Sequence, residues 1–169
     1  MTDDEEIAQE VRIFRNYGSE KRYYNKVVGS NSRLDEMQAG LLRVRLYHLR
    51  ELEEEKMRIC DRYLAQIRNK NVLLPKLREN ATHIWHQFVI RTSKRDELIR
   101  YLEEKGIGSI IHYPIPPHMA EAYQYLGIGE GSLPVTELFA REVLSLPLYN
   151  GMTDEEQEYV IRAINAWRE

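Results

Sequence analysis

The sequence predicts an α/β or α+β fold in which a small sheet is covered by helices. Apolar residues recur at helical spacing along most of the chain, and short β-prone stretches alternate with helical ones in its C-terminal part. The chain has 169 residues, of which 43% are hydrophobic and 30% are charged. This balance is typical of one globular domain, or of a domain with an extension.

The N-terminal part predicts one helix, a turn and an irregular stretch. The helix spans Thr2 to Phe14, because Thr2 and Glu5 have capping-box spacing and acidic residues fill the first turn. Asn16 and Gly18 mark the turn that follows. Residues 20–28 mix charges with tyrosines and predict irregular structure.

A long helix is predicted next, from Arg33 to about Asn69. Ser32 is a suitable N-cap with Asp35 three residues further on, and the stretch contains no proline and a single glycine. Such a helix would be roughly 50 Å long. It is apolar on most sides as far as Leu52 and has one apolar stripe beyond that residue, so we expect its first part to be buried on more than one face.

The C-terminal part alternates between strand and helix patterns. Gly106 is expected to end one helix, and Thr153 with Glu156 forms the capping box of the last one. The predicted elements are, in order, a strand at 85–91, a helix at 93–105 capped by Ser93, a β-prone segment at 109–113, helices at 118–126 and 134–143, a strand or connector at 144–149, and a helix at 153–168.

Composition excludes several classes of protein. No apolar run approaches the roughly 20 residues of a membrane-spanning helix, and the acidic residues 1–6 are unlike a signal peptide. The single cysteine, Cys60, excludes a disulfide scaffold and predicts a buried thiol in a cytoplasmic protein. A net charge of -3 gives no reason to expect nucleic-acid binding.

The first candidate site is the basic, tyrosine-rich segment 15–33. It leads into the predicted helix N-terminus, whose free N–H groups can bind an anion, and the Asn31 amide beside it can donate to a phosphate oxygen. A phosphate-bearing cofactor or substrate is one interpretation. The other is a polar loop in which Asn31 and Ser32 only cap the helix, and composition alone favours it.

The second candidate site is the proline-rich segment 112–118. Its prolines would hold His112, Tyr113 and His118 in fixed directions, which suits a ligand site, although a rigid connector is the alternative. No acidic residue lies close in sequence, so we expect no metal. His48 is expected to be packed and hydrogen-bonded, and His83 and His86 receive no role.

Four motifs together resemble one family. They are R-N-Y-G-S at 15–19, G-S-N-S-R-L-D-E-M-Q-A at 29–39, G-I-G…I-H-Y-P-I-P-P-H at 106–118 and L-S-L-P-L-Y at 144–149. In this order they resemble the DegT/DnrJ/StrS sugar aminotransferases. That family is similar to aspartate aminotransferase in fold and uses pyridoxal phosphate to aminate keto-sugars on nucleotide carriers. The resemblance covers essentially the whole chain.

The resemblance implies the C-terminal domain of a pyridoxal-phosphate transferase fold, in which a long helix leads into a small, mostly antiparallel sheet. Residues 1–52 would be a remnant of the large-domain and dimer-interface region, and residues 53–169 the small domain. The Schiff-base lysine and the other residues that hold the cofactor ring would precede the matching part. We therefore expect no catalytic residue in this chain, no covalently bound cofactor, no activity of the chain alone, and self-association through exposed apolar surface.

The family's cofactor-binding roles carry over to three positions. Asn31 would reach across a homodimer interface to the cofactor phosphate of the partner subunit, and Tyr17 and Arg33 would belong to the same wall. This implication reverses the preference for a simple polar loop.

The substrate-binding roles carry over to four more positions. Arg22 and Tyr23 would border the sugar or the nucleotide, and His112 and Tyr113 would lie at the mouth of the active site. The implied reaction moves an amino group, usually from glutamate, to a keto-sugar. The alternative is a truncated, non-enzymatic relative that dimerises with or regulates a full-length enzyme, and the residues present fit both.

Overall fold

A computed structural model describes residues 2–168, which divide between Leu49 and Arg50 into an N-terminal unit and a C-terminal unit. None of the helices in this range is both long and apolar enough to cross a membrane. The elements of the N-terminal unit are α1 (Glu5–Phe14), β1 (Ser19–Lys21), β2 (Tyr24–Asn25) and α2 (Glu36–Tyr47). They are followed by α3 (Leu49–Gln66), β3 (Phe88–Arg91), α4 (Arg95–Glu104), the 3-10 turns Pro117–Met119 and Glu121–Leu126, α5 (Pro134–Glu142), β4 (Val143–Leu146) and α6 (Asp154–Ala166).

Helix α1 begins later than the sequence predicts, and its cap is a different residue. The N-cap is Asp4, whose carboxylate accepts the backbone N–H groups of Glu6 and Ile7. Thr2 instead accepts the N–H of Asp4 at 3.1 Å. The carboxylate is favoured because its negative charge lies at the positive end of the helix dipole.

Residues 20–28 were predicted to be irregular, but part of this stretch forms a small hairpin. Strands β1 and β2 pair antiparallel. Side chains support the pairing, since the Ser19 hydroxyl donates to the Asn25 Oδ1 at 2.9 Å and the Asn25 amide donates to the Tyr17 carbonyl at 3.0 Å. The prediction failed because polar side-chain hydrogen bonds, rather than an alternating apolar pattern, hold this hairpin.

Two glycines allow the chain to return closely against the end of α1. A Cβ on Gly29 would lie 2.2 Å from the Gly18 nitrogen and 2.5 Å from the Phe14 carbonyl oxygen. Beyond Gly29, Ser30 donates to the Phe14 carbonyl at 2.9 Å and Ser32 to the Arg15 carbonyl at 2.9 Å. Residues 30–32 are therefore an extended segment that is hydrogen-bonded to residues 14–17.

The predicted long helix from Arg33 to Asn69 is instead two helices, α2 and α3. Ser32 is not the cap: it lies in the extended segment, where its N–H donates to the Arg15 carbonyl, and α2 begins after Asp35. The break is at His48, whose backbone (φ -99°, ψ 5°) leaves the helical range and whose N–H donates to the Arg45 carbonyl at 3.1 Å. His48 is exposed, so the expectation of a packed histidine is wrong.

Helix α2 contains no buried residue. Its apolar side chains point in most directions, as the sequence predicts, but they are exposed: 81% for Met37, 67% for Leu41 and 67% for Leu46. The predicted burial on more than one face is therefore absent from the part of the chain that the structure describes. So many exposed apolar side chains on one short helix indicate a surface that another element covers.

The C-terminal unit confirms the small antiparallel sheet covered by helices. Strands β3 and β4 pair antiparallel, with Phe88 opposite Leu146 and Ile90 opposite Leu144. Single bridges extend the pair on both sides, from Leu73 to β3 and from Ile110 to β4. The buried face of the sheet packs in one core with residues of α3, α4 and α6, namely Ile59, Tyr63, Leu98, Leu102, Ile161 and Ile164.

Side-chain amides tie α3 to α6 in addition to the apolar contacts. The Gln157 amide donates to the Ile59 carbonyl at 2.6 Å, and the Asn69 amide donates to the carbonyls of Ile164 and Trp167. The Asn69 bonds satisfy backbone carbonyls at the C-terminal end of α6, which would otherwise be unpaired in a buried place, whereas the Gln157 bond joins α6 to a carbonyl in the interior of α3. Cys60 lies in this core as predicted, and burial raises the pKa of its thiol to about 12.

Smaller differences concern element ends. The strand predicted at 85–91 begins only at Phe88, and α4 begins after Lys94, so Ser93 is not its cap. The helix predicted at 118–126 is two 3-10 turns. Gly106 ends α4 as predicted: with a φ of 69° it donates to the Glu103 carbonyl at 2.9 Å, in a Schellman-type ending.

The capping box of α6 is present as predicted and gives a first test. Thr153 accepts the Glu156 N–H at 3.1 Å, and the Glu156 carboxylate accepts the Thr153 N–H at 2.8 Å. We expect Thr153→Ala to lower the free energy of unfolding by about 1 kcal/mol, because an N–H at the helix start loses its acceptor. Urea unfolding followed by fluorescence measures it, since Trp85 and Trp167 are both buried in this unit.

The matched control is Thr82→Ala, which changes an exposed loop threonine. We expect this control to stay within about 0.5 kcal/mol of the parent. Equal unfolding free energies for the two variants would contradict the role of the cap.

Candidate functional site

The structure brings Tyr17, Asn31 and Arg33 together in the N-terminal unit. The Arg33 Nε donates to the Asn31 Oδ1 at 3.0 Å, and its Nη1 donates to the Asn16 Oδ1 at 3.1 Å. The Arg33 guanidinium carbon lies 5.4 Å from the centroid of the Tyr17 ring. We call these four residues the Arg33 cluster.

The return of the chain at Gly29 explains how these residues meet. Asn16 and Asn31 face each other in an antiparallel bridge, and the Tyr17 N–H donates to the Ser30 carbonyl at 3.0 Å. Tyr17 has a φ of 58°, which is uncommon for a residue other than glycine. The cluster therefore depends on backbone pairing between residues that are far apart in sequence.

The Arg33 cluster has the electrostatics of an anion site. Both acceptors of Arg33 are neutral amide oxygens, and no carboxylate among residues 2–168 pairs with its guanidinium. Since a guanidinium can only donate, Asn31 turns its oxygen toward Arg33, and its Nδ2 donates to no described residue. A cation beside a free amide donor suits a phosphate group.

The helix N-terminus contributes less than the sequence predicts. Asn31 was expected beside the start of the long helix, but α2 begins at Glu36 and its N-cap is Asp35. The negative charges of Asp35 and Glu36 at the helix start disfavour an anion there. Residues 32–34, between Asn31 and the cap, are not helical. The preference for an anion therefore rests on Arg33. The family resemblance assigned this residue only to the wall that contains Asn31.

Arg22 and Tyr23 lie together at the turn of the β1–β2 hairpin. The Arg22 guanidinium is 5.0 Å from the centroid of the Tyr23 ring, and Tyr23 is 83% exposed. Within residues 2–168, neither residue has a hydrogen bond or ring contact with the Arg33 cluster. The pair offers a cation and an aromatic face to solvent.

His112 and Tyr113 follow the sheet edge in the C-terminal unit, after the bridge at Ile110. The His112 Nδ1 is 3.0 Å from the Ser145 Oγ, and the Tyr113 ring stands edge-on to the imidazole at 5.7 Å. Tyr113 is 74% exposed. Ser145 was not predicted as a site residue, although a serine between two leucines in a buried strand is an unusual polar position.

His112 lines two cavities of this unit, of about 600 and 380 Å³. The walls of the smaller one are mostly apolar and include Ile115, Val135 and Phe139. The larger one adds polar groups, among them Gln87 and Ser145, to an apolar wall. Concave, mostly apolar sites with a few polar groups are typical of pockets for small organic molecules.

His118 has an acidic partner, Glu137, that is 19 positions away in the sequence and was not predicted. Its Nε2 lies 3.2 Å from the Glu137 Oε1, and both side chains are buried. Glu137 also accepts the N–H of Gly131 at 2.9 Å and the N–H of Leu133 at 3.1 Å. These hydrogen bonds hold the loop before α5. Residues 2–168 contain no group of three or more His, Cys, Asp or Glu side chains that could hold a metal ion.

The hydrogen bonds to Glu137 predict that the loop before α5 becomes less stable at acidic pH. The hydrogen bonds from Gly131, with those from Leu133 and His118, lower the pKa of Glu137 below its ordinary value of 4.5. The Glu137 carboxylate therefore contributes its full stabilisation of the folded loop above the pKa that it has in the unfolded chain. This contribution is lost as the pH falls through the lower pKa that Glu137 has in the folded protein. We expect the Gly131 and Leu133 amides to lose hydrogen-exchange protection as the pH falls below 4.5 and through the lowered pKa of Glu137.

Glu137→Gln should weaken that protection even at neutral pH, because both carboxylate oxygens lie 2.9 Å from the Gly131 nitrogen and the amide would place an NH₂ donor against that N–H. The control is Glu130→Gln, at an exposed neighbouring residue, which should leave the exchange unchanged. Protection of both amides that persists in Glu137→Gln at neutral pH would refute the role of this carboxylate.

Comparison with known proteins places this architecture in a family. Residues 1–165 match the DegT/DnrJ/EryC1/StrS aminotransferase family. A dTDP-3-amino-3,4,6-trideoxy-alpha-D-glucose transaminase from Streptomyces venezuelae is 41% identical over 170 residues, which cover 100% of this chain and 45% of that protein. The chain thus spans about half the length of the curated relatives it matches.

Solved structures of aminotransferases have the same fold over the matched part. DesV from S. venezuelae, in complex with a ketimine intermediate, superposes with a TM-score of 0.92 at 40% identity, over 99% of this chain and 45% of DesV. NtdA from Bacillus subtilis, with bound cofactor PMP, superposes with a TM-score of 0.83 at 29% identity, over 96% of this chain and 40% of NtdA. The fold is that of the C-terminal part of these aminotransferases.

Proposed function

Because the chain belongs to the DegT/DnrJ/EryC1/StrS aminotransferase family, we propose that it is the C-terminal part of a pyridoxal-phosphate-dependent sugar aminotransferase. The complete enzyme transfers an amino group, with glutamate as donor, to a keto-sugar on a nucleotide carrier. The transaminase similar to this chain supports the nucleotide-sugar class, and the PMP-bound NtdA supports the cofactor.

The Arg33 cluster is the observation that carries the proposal. Its free Asn31 amide and its guanidinium, which no carboxylate neutralises, fit the phosphate of pyridoxal phosphate. In this proposal Asn31 donates to a phosphate oxygen, Arg33 supplies the positive charge, and Tyr17 supports the guanidinium from one face. When bound, the cofactor supplies the electron sink that amino transfer needs.

The phosphate that Asn31 and Arg33 would bind belongs, in the proposed homodimer, to the cofactor of the partner subunit. The exposed apolar side chains of α2 support this arrangement, because a dimer would remove them from water. If they stay uncovered, the chain alone should self-associate and bind an apolar dye. A monomer without dye binding would count against an interface at α2.

The remaining roles in the proposal concern the substrate. Arg22 and Tyr23 offer a cation and an aromatic face, which suit the diphosphate and the base of a nucleotide. His112 and Tyr113 face the sugar from beside the two cavities of the C-terminal unit. No residue here is assigned as the Schiff-base lysine, so the chain alone is inactive. The cytoplasmic location in the proposal is supported by the single cysteine.

The intact mass of the native gene product is the first test. A mass of about twice the 20.1 kDa of this chain would fit a complete aminotransferase. That product, supplied with pyridoxal phosphate, glutamate and a nucleotide-linked keto-sugar, should yield 2-oxoglutarate and the amino sugar by mass spectrometry. A mass equal to that of this chain would overturn the proposal in favour of a non-enzymatic dimerisation or regulatory partner.

A further inference from the structure

Ser145 is buried beside His112 and is held by backbone pairing on both sides. It lies in β4 opposite Val89 of β3, and on its other side its N–H donates to the Ile110 carbonyl at 2.8 Å. Its carbonyl accepts the Ile110 N–H at 3.3 Å, and the residue is only 6% exposed. Backbone pairing on both sides therefore fixes the point from which its side chain starts, and burial limits the directions that its hydroxyl can take.

The Ser145 hydroxyl has one hydrogen-bond partner among the described residues, the Nδ1 of His112 at 3.0 Å. Two arrangements fit this distance. If Nδ1 carries the proton and donates, the serine proton has no acceptor among the described residues, which is costly for a residue that is only 6% exposed. If the hydroxyl donates to Nδ1, both groups are satisfied and the neutral imidazole carries its proton on Nε2.

We propose that Ser145 is a positioning residue that holds neutral His112 in the Nε2–H form. The imidazole then presents a hydrogen-bond donor to the space that His112 lines, and Nε2 has no partner among residues 2–168. A donor at this point selects an oxygen acceptor on the ligand. With the proposed function as its basis, the inference identifies that acceptor as an oxygen of the sugar.

Two features of the surroundings make this donor selective. The smaller cavity beside His112 has mostly apolar walls, so an unmatched polar group there would lose its hydrogen bonds to water. The Tyr113 ring stands edge-on to the imidazole at 5.7 Å between ring centroids and adds an aromatic contact on one side of it. A ligand that offers an N–H or NH₃⁺ group at this point instead of an oxygen is disfavoured, because two donors would face each other.

Nitrogen NMR of the histidine-labelled gene product tests the inference directly. The protein is held at about pH 8.5, well above the ordinary imidazole pKa of about 6.5. The His112 signals are assigned by difference from His112→Gln. We expect Nδ1 without a proton and Nε2 with one, in at least about tenfold excess over the other form. A protonated Nδ1 in the unmodified protein would overturn the inference, and this readout needs no variant of Ser145.

Three variants separate positioning from a structural role. Ser145→Ala should lower the tautomer excess several-fold, whereas Ser145→Thr retains a hydroxyl and should preserve it. The control is Ser109→Ala, a serine that lines the same larger cavity and whose hydroxyl has no partner among the described residues. An unchanged excess in Ser145→Ala would also overturn the inference.

The outcome of the NMR measurement does not depend on the aminotransferase proposal. The tautomer is observed without cofactor, substrate or turnover, so a tautomer other than the expected one would leave the proposal of amino transfer unaffected. If instead the tautomer is as expected and the full-length product has no transaminase activity, the positioning of His112 stands and the sugar is the wrong ligand. In an active enzyme, Ser145→Ala should raise KM for the sugar more than it lowers kcat.

Discussion

Arg33→Ala in the full-length enzyme should weaken cofactor retention by about 10- to 100-fold, the usual range for a hydrogen bond to a charged group. Its guanidinium holds the Asn31 amide oxygen at 3.0 Å, so the substitution removes a positive charge and also frees the amide to turn. Asn31→Ala should cost about tenfold, because it removes a donor but leaves the charge. Equilibrium dialysis against pyridoxal phosphate measures both.

The matched control for charge is Lys21→Ala. This cation belongs to the same basic segment, but it lies over the Tyr24 ring at 5.3 Å and makes no contact with the Arg33 cluster. We expect cofactor retention within about twofold of the parent, since exposed charges act weakly through water. Equal losses for Arg33→Ala and Lys21→Ala would mean that general electrostatics, and not the cluster, binds the cofactor.

Gly29→Ala should destabilise the N-terminal unit by about 3 kcal/mol, near the upper end for an overpacked position. The added methyl group would lie 2.2 Å from the Gly18 nitrogen and 2.8 Å from the Tyr17 carbonyl carbon. All of its nearest neighbours are backbone atoms, which cannot move aside as a side chain would. The extended segment 30–32 should separate from residues 14–17, and the Arg33 cluster should separate with it.

Hydrogen exchange of the Tyr17, Ser30 and Ser32 amides measures that separation. Gly40→Ala is the control with the opposite sign, because a Cβ there meets nothing within 4 Å. Since Gly40 lies inside α2, alanine should stabilise that helix by about 0.5–1 kcal/mol. Unchanged amide protection in Gly29→Ala would show that the close return of the chain is not required.

The C-terminal unit was the more predictable part of the sequence. Its signals are local: the Thr153 capping box, the Gly106 stop and the alternating burial of β3 from Phe88 to Arg91 each act within a few residues. Local patterns of this kind retain their meaning because tertiary contacts reinforce them.

Several of the failures share one physical cause, which is hydrogen bonding between residues that are distant in sequence. Periodicity cannot show that the Ser32 N–H donates to the Arg15 carbonyl, in the extended segment that precedes α2. Nor does spacing show that His112 meets Ser145 across 33 positions, or that His118 meets Glu137 across 19. Tyr17, Asn31 and Arg33 were named from motifs; the structure brings them together, and their roles at the cofactor stay a prediction.

The pairing of α3 with α6 has a consequence for how the protein is made. Gln157 meets the Ile59 carbonyl across 98 positions, and Asn69 meets the Trp167 carbonyl across another 98. On the ribosome, α3 therefore emerges long before the helix that covers it. Until α6 is released, the core side of α3 has no permanent cover, so the C-terminal unit depends on late, non-local closure and on whatever shields it meanwhile.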